Sequence, residues 1–431
     1  MGVPLIVGAA SVVQYFMLMR FPPAGIASMV CMVLSIVGAM LGAAGILTAK
    51  RLAARGLRSR DETVHAFETW QRRLPKLLCG QLLAVGTAFT AGSCSMMIWG
   101  FVSHDIRFGV IMAGFSLVTV LMIWVAVSGA WKEATPFLRS PMTVLGRNLG
   151  RVDAPHIWAM VDDVAARLGA PPVNQIVLGL LDGFFVTSGV VRVSHSGEIS
   201  GHILYLSAAH ISFLGEAELR GIVAHEMAHF TGNDLLYSER FAPIYHGFEK
   251  RLVSMAEHEY DDWIGKVFLR PGRMVAAYAL YRFRATERHW SRFRELEADK
   301  AGAALVGADV FAIALTRAIL VQTRLQTLLA TTLRHPGTDD VVAALGRSFA
   351  AEPLFDLGSA HMAHPFDSHP ALQERLEALG VPFDDAFPLA CAPFVPEEQR
   401  ASHAVASWSA MTSTLSADFH EALRHAAGHP A

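Results

Sequence analysis

The stretch "GIVAHEMAHF", residues 221–230, sets two histidines four apart with a glutamate directly after the first. Apolar Leu219, Ile222, Val223 and Met227 recur around it at helical spacing, so the stretch reads as a helix, entered through "GEAELR" and closed by Gly232. On a helix, residues i and i+4 lie one above the other on one face. His225 and His229 therefore offer two imidazole nitrogens to a single point, as a zinc ion requires. Glu226, beside the first of them, can approach a metal-bound water and accept its proton. The metal brings the pKa of such a water toward ~7, which makes a nucleophile available at neutral pH.

Two histidines do not close a metal site. Downstream, "RFRELEADKAGA" (292–303) reads as a second helix, with Glu295 and Asp299 four apart on one face. Glu295 is the candidate third ligand, and Asp299 the acceptor for the free N–H of a ligand histidine. Glu297 lies about 200° around the helix from Glu295 and should point with Arg294 toward solvent. Small Ala298 and Gly302 would let this helix come close to the first. Alone, these acids would read as an exposed patch paired with Arg292 and Arg294. The upstream motif tips the balance to a ligand.

The rest of the chain says where such a site would be held. Of 431 residues, 52% are hydrophobic and only 17% charged, and most of the excess lies in residues 1–131. Residues 24–48, 77–101 and 109–131 contain no Asp, Glu, Lys or Arg, and each exceeds the roughly 20 residues that cross a hydrocarbon core. Residues 3–19, with Gln14, form a weaker fourth span; they lack the basic start and small-residue cleavage site of a signal peptide. The expected architecture is thus a multi-pass α-helical membrane region of about four spans in 1–131. Residues 49–76 hold eight Lys or Arg, whereas 102–108 hold only Arg107. Positive-inside bias then puts 49–76 and everything after residue 131 in the cytoplasm. The net charge of −2 gives no basic surface for nucleic acid. The four cysteines form neither a disulfide framework nor a Cys-x-x-Cys metal site.

After the spans, 132–152 reads as a linker punctuated by Pro136, Pro141, Gly146 and Gly150. A helix over "APHIWAMVDDVAARLGA" and three strand-like runs, "NQIVLGLL", "GFFVTSGVVRVS" and "HILYLSA", precede the motif helix. "MVAAYALY" (274–281) is too short to span, and 303–334, interrupted by Asp309, Arg317 and Arg324, reads as core helices. The catalytic domain is expected over 153–390. Residues 391–431 are expected as a C-terminal tail, a short helix or a loosely held end.

H-E-x-x-H followed by E-x-x-A-D resembles the membrane zinc metallopeptidases of the HtpX and CAAX-prenyl-protease group, family forty-eight of the metallopeptidases. "YLSAAHISFLGEAELRGIVAHEMAHF" is similar to the family's strand–helix lead into the motif, "HFTGND" to its continuation, and "SHPALQERLEALG" (368–380) to its Ser/Thr-His-Pro segment. The resemblance covers about 150–380. It implies an α+β zincin-type domain, mostly helical with a small sheet, with one Zn2+ on His225, His229 and Glu295 and with Glu226 as general base. The implied enzyme is a membrane-anchored zinc metalloendopeptidase of the bacterial inner membrane, acting on protein or peptide substrates in membrane-protein quality control. His369 has two readings: a cap for the helix starting near Pro370, or a donor to the oxyanion of the tetrahedral intermediate. The sequence departs from the family at "GFFVTSG" (183–189), which lacks the usual Asn, and in placing all its expected spans before the motif.

Three other classes compete with this reading. A catalytically inactive scaffold would be expected to have lost Glu226 or a ligand, and all are present. A transporter predicts ionisable residues inside the spans, and the three clear runs have none. A non-proteolytic zinc hydrolase stays open at this point.

Overall fold

The computed structural model describes residues 2–133, 142–181, 183–231, 270–334, 340–351, 370–391, 400–405 and 407–426. They fall into two compact units.

The first unit takes in residues 1–139 and 241–287. Its helices are α1 (Gly2–Leu18), α2 (Pro22–Gly56), α3 (Arg60–Val102) and α4 (Ile106–Glu133). Proline in the first turn of α2 needs no amide partner there. Ser59 caps α3 by accepting from the Glu62 amide at 3.1 Å, and Asp61 and Glu62 in the first turn complement the helix dipole. Three of these helices are long and apolar enough to cross a bilayer: Pro22–Gly56, Asp61–Val102 and Ile106–Val125. The fourth expected span falls short. α1 has 17 residues, and at ~1.5 Å per residue it reaches about 25 Å against a core of roughly 30 Å.

Burial in α2 is the reverse of a water-soluble core. Ser28, Ser35, Gly38, Gly42 and Gly45 are inside, while Ile26, Met29, Val33, Ile36 and Met40 face outward. In lipid the outer surface must be apolar and small residues let helices approach. A Cβ on Gly38 would stand 2.9 Å from Val85 Cγ2, and the buried Ser95 hydroxyl pairs with Ser28 Oγ and the Ala24 carbonyl, both at 2.7 Å.

Residues 270–287 of a long helix, α8 (Arg270–Val306), complete the described part of this unit. Its buried Val275, Ala279 and Phe283 form one stripe, with Phe283 edge-on to Phe67 at 5.1 Å. Thr286 Oγ1 donates to the Ala53 carbonyl at 3.2 Å. "MVAAYALY", expected inside the catalytic domain, therefore packs on α2 and α3 instead.

The second unit takes in residues 140–240 and 288–431. Its sheet has strands β1 (Met142–Val144), β2 (Arg147–Asn148), β3 (Gln175–Gly179), β4 (Phe185–Val193) and β5 (Gly197–Ser207) in the order β1-β4-β5-β3-β2. β1 runs parallel to β4 and β3 to β5; the β4–β5 and β2–β3 pairs are antiparallel. Residues 142–148, expected in a linker, are thus the two edge strands, and Leu149 beside them is buried. Such short strands leave almost no periodic signal. β5 also starts earlier than its apolar run, because polar 197–201 pair across the hairpin with 189–193.

Alternate residues of β5 serve two cores. Leu204 and Leu206 join a cluster with α5 (Pro155–Leu168) and α7 (Glu216–Ala228), while Ile203 and Tyr205 pack with Val144, Val177, Val191 and Val193 on the other face. α5 ends at Gly169, whose φ of 65° is the left-handed conformation that favours glycine. The short α6 (Ala208–Ile211) leads from β5 to α7. α9 (Ala308–Arg334), α10 (Val341–Ala351), α11 (Leu372–Leu379), α12 (Phe383–Cys391) and α13 (Trp408–Ala426) complete the described elements.

Of the two expectations for the C-terminal segment, the described residues 408–426 meet the helical one, and that helix is docked. Leu415 and Phe419 of α13 belong to the main core, and Asp418 takes Arg147 in a two-pronged ion pair at 2.7 and 2.9 Å. The segment's Ala- and Ser-rich composition concealed an amphipathic helix that docks beside an edge strand.

Candidate metal centre

α7 carries His225 and Glu226 in its last turn, and His229 is its C-cap. Its N-terminus is fixed by Glu218, which accepts from the Gly215 amide at 3.0 Å and from Arg317 Nη1 of α9 at 2.6 Å. The last third of α8 carries Glu295 and Asp299. These two helices approach at glycines: a Cβ on Gly302 would lie 2.9 Å from the Gly221 carbonyl oxygen and 2.5 Å from Phe311 Cε2. Phe311 also lies parallel to the His225 ring, with centroids 6.1 Å apart.

That approach brings three donors together. Ligand atoms of His225, His229 and Glu295 all lie within 4.8 Å of one another. Glu295 Oε2 is 3.4 Å from His225 Nε2, and Oε1 is 3.7 Å from His229 Nε2. The three side chains are 7%, 12% and 5% exposed. Two imidazole nitrogens and one carboxylate, converging from buried positions, are a donor set that zinc accepts while keeping one coordination position for water or substrate. The residues fit a metal.

Asp299 is buried behind them. Its Oδ1 is 2.9 Å from His225 Nδ1, which leaves Nε2 as the atom turned toward Glu295 and His229. Burial alone would push the His225 pKa down; the Asp299 and Glu295 carboxylates outweigh it and lift it to about 9. Burial would raise Asp299, but Arg375 and His225 hold it below the usual carboxylate range. Positive charge is stabilised here, and the same field favours a divalent cation. Glu226, half-buried, adds to it, acting on both His225 and Arg375.

Arg375 was not anticipated. It lies on α11, and its Nε and Nη2 hold the two oxygens of Asp299 at 2.8 and 2.5 Å. The signal was present: an arginine between Leu372 and Leu376, inside the segment already quoted for its family resemblance, falls on the buried face of its helix. Glu297 is exposed. His369 lies outside the described residues.

N-terminal apolar helices joined to a mixed-sheet domain with an H-E-x-x-H helix and a glutamate helix define a membrane-anchored metallopeptidase as the class. The model of peptidase family M48 matches residues 184–381. The chain is 27% identical over 236 residues to a protease HtpX homolog of Ralstonia nicotianae, covering 54% of this chain and 76% of that one. It is 24% identical over 250 residues to one from Pyrobaculum calidifontis (57% and 69%), and 26% over 243 residues to protease HtpX homolog 1 of Streptomyces coelicolor (54% and 73%). No solved structure matches. The chain thus resembles the HtpX-like membrane metallopeptidases of peptidase family M48, a likeness carried by residues 184–381.

Proposed function

We propose that the chain is a zinc metalloendopeptidase, held in a bacterial inner membrane by its N-terminal helices and cleaving protein or peptide substrates on the cytoplasmic side. The observation that carries this reading is the convergence of His225, His229 and Glu295 with Asp299 at the back of His225. His225, His229 and Glu295 would hold the zinc. Bound there, zinc would polarise the scissile carbonyl and acidify a water. Glu226, next to a ligand on the same helix, would take the proton of the attacking water and pass it to the leaving amine. His369 donates to the oxyanion of the tetrahedral intermediate. A site tethered to the bilayer suits substrates presented at the membrane surface, misfolded membrane proteins among them.

Glu226→Gln tests the reading. It should abolish hydrolysis of casein or of the chain itself while zinc content stays near one per chain, because the carboxylate moves protons and does not coordinate. Undiminished cleavage by the variant would overturn the mechanism. Proteins that accumulate in membranes carrying the variant identify the substrates.

A further inference from the structure

We propose that Arg375 is a positioning residue of the metal centre, setting Asp299 against His225 and thereby fixing the ligand imidazole. This rests on the zinc reading above. Arg375 lies 76 positions from Asp299 in sequence, yet the two form a two-pronged ion pair, with Nε on Oδ2 at 2.8 Å and Nη2 on Oδ1 at 2.5 Å. Nη2 also stands 3.6 Å from Glu295 Oε2. The planar guanidinium matches a carboxylate edge to edge, which fixes its orientation as well as its distance. Oδ1, one of the two oxygens it grips, is the one that faces His225 Nδ1 at 2.9 Å.

Charge balance explains why a cation is needed at that place. Glu226, Glu295 and Asp299 bring three carboxylates to one largely buried region. A divalent metal offsets two, and the Arg375 guanidinium offsets the third. Asp299 is 0% exposed, and without the guanidinium fork its carboxylate would lose the orientation that sets Oδ1 beside His225 Nδ1. Arg375 itself is 6% exposed and its two donors nearest the site are taken up by Asp299, so it acts through Asp299 and not on substrate. α11 supplies the rigid base: Leu372 and Leu376 pack with Phe311, Leu214 and Ile222, the last on the metal helix itself.

The test is a zinc-affinity cycle, read by chelator competition on the full-length protein in detergent. Arg375→Gln should weaken zinc binding about 10–100-fold, the scale of losing a partner behind a ligand. Asp299→Asn should weaken it comparably, and the double variant should bind no more weakly than Asp299→Asn alone, because both act through one contact. Arg375→Lys, which keeps the charge and loses the fork, should recover part of the affinity and covers the case in which the glutamine variant does not fold. Glu374→Gln removes only the exposed 3.2 Å pair between Glu374 and Arg292, and should leave affinity unchanged. Losses that multiply in the double variant, an unchanged affinity in Arg375→Gln, or an equal loss in Glu374→Gln would each show that Arg375 merely anchors its helix. A wild-type protein that binds no zinc would sink the zinc reading itself, whereas a zinc-loaded wild type with multiplying losses would sink this inference alone.

Discussion

Glu295 and Glu297, two residues apart on α8, face opposite ways: the Glu295 carboxylate lies 3.4 Å from His225 Nε2, whereas Glu297 is exposed. About 200° of helical rotation separates them, so only one can serve the site. Glu295→Ala should remove bound zinc and activity together, and Glu297→Ala should leave both nearly intact. Zinc content by elemental analysis of the purified variants checks this. The reverse outcome would refute the assignment of the third ligand.

Gly302 sets how closely the two metal-site helices approach. The methyl group of Gly302→Ala would meet the Gly221 carbonyl at 2.9 Å and the Phe311 ring at 2.5 Å, and neither can yield without moving a helix or a packed core ring. Overpacking of this kind costs about 1–3 kcal/mol. The variant should melt lower and bind zinc more weakly, since Glu295 and Asp299 ride on the helix that must shift. Gly346→Ala is the control: no atom lies within 4 Å of its added Cβ, so stability should hold or rise. Equal melting points for the two variants would contradict the close-approach argument.

The parts of the fold that were legible in sequence are those whose cause is local. Charge-free runs become long helices, and the shared face of Glu295 and Asp299 follows from a spacing of four residues. What stayed hidden depends on distant partners. Met142–Val144 is a strand because β4 is there to pair with it, and the C-terminal helix is docked because Arg147 and the core receive it. Residues 274–281 read only as too short to span; that Val275, Ala279 and Phe283 pack on α2 and α3 depends on those distant helices. Helical spacing puts Arg375 on the buried face with Leu372 and Leu376, but its partner, a carboxylate 76 residues away, is not visible in local sequence.

The proposed cytoplasmic placement of the catalytic domain rests on the charge bias of 49–76 over 102–108. Reporters active only in the cytoplasm should work when fused at residue 60 or 431 and fail at 104. Activity at residue 431 of a reporter that works only outside the cytoplasm would overturn the orientation.

His369 is the proposed oxyanion donor. His369→Ala should lower turnover about 100-fold with zinc retained, the scale of losing one such donor. A loss below about threefold would return it to capping the helix that follows.

His210 predicts how the fold responds to acid. It is 2% exposed, with Nδ1 2.8 Å from Ser207 Oγ and the Phe184 ring edge-on at 5.5 Å. Burial pushes its pKa down to about 4, only partly offset by a hydrogen bond to the Ala318 backbone. An unfolded histidine titrates near 6.5. Between these values the unfolded chain takes up a proton that the folded one refuses, so stability falls as pH drops from 6.5 toward 4. The full loss is on the order of 3 kcal/mol at the low end of that window. His210→Gln removes the titration, so its thermal midpoint should fall less steeply between pH 7 and pH 5 than the wild type's, whatever its absolute value. Parallel slopes for the two proteins would assign the acid sensitivity to other groups.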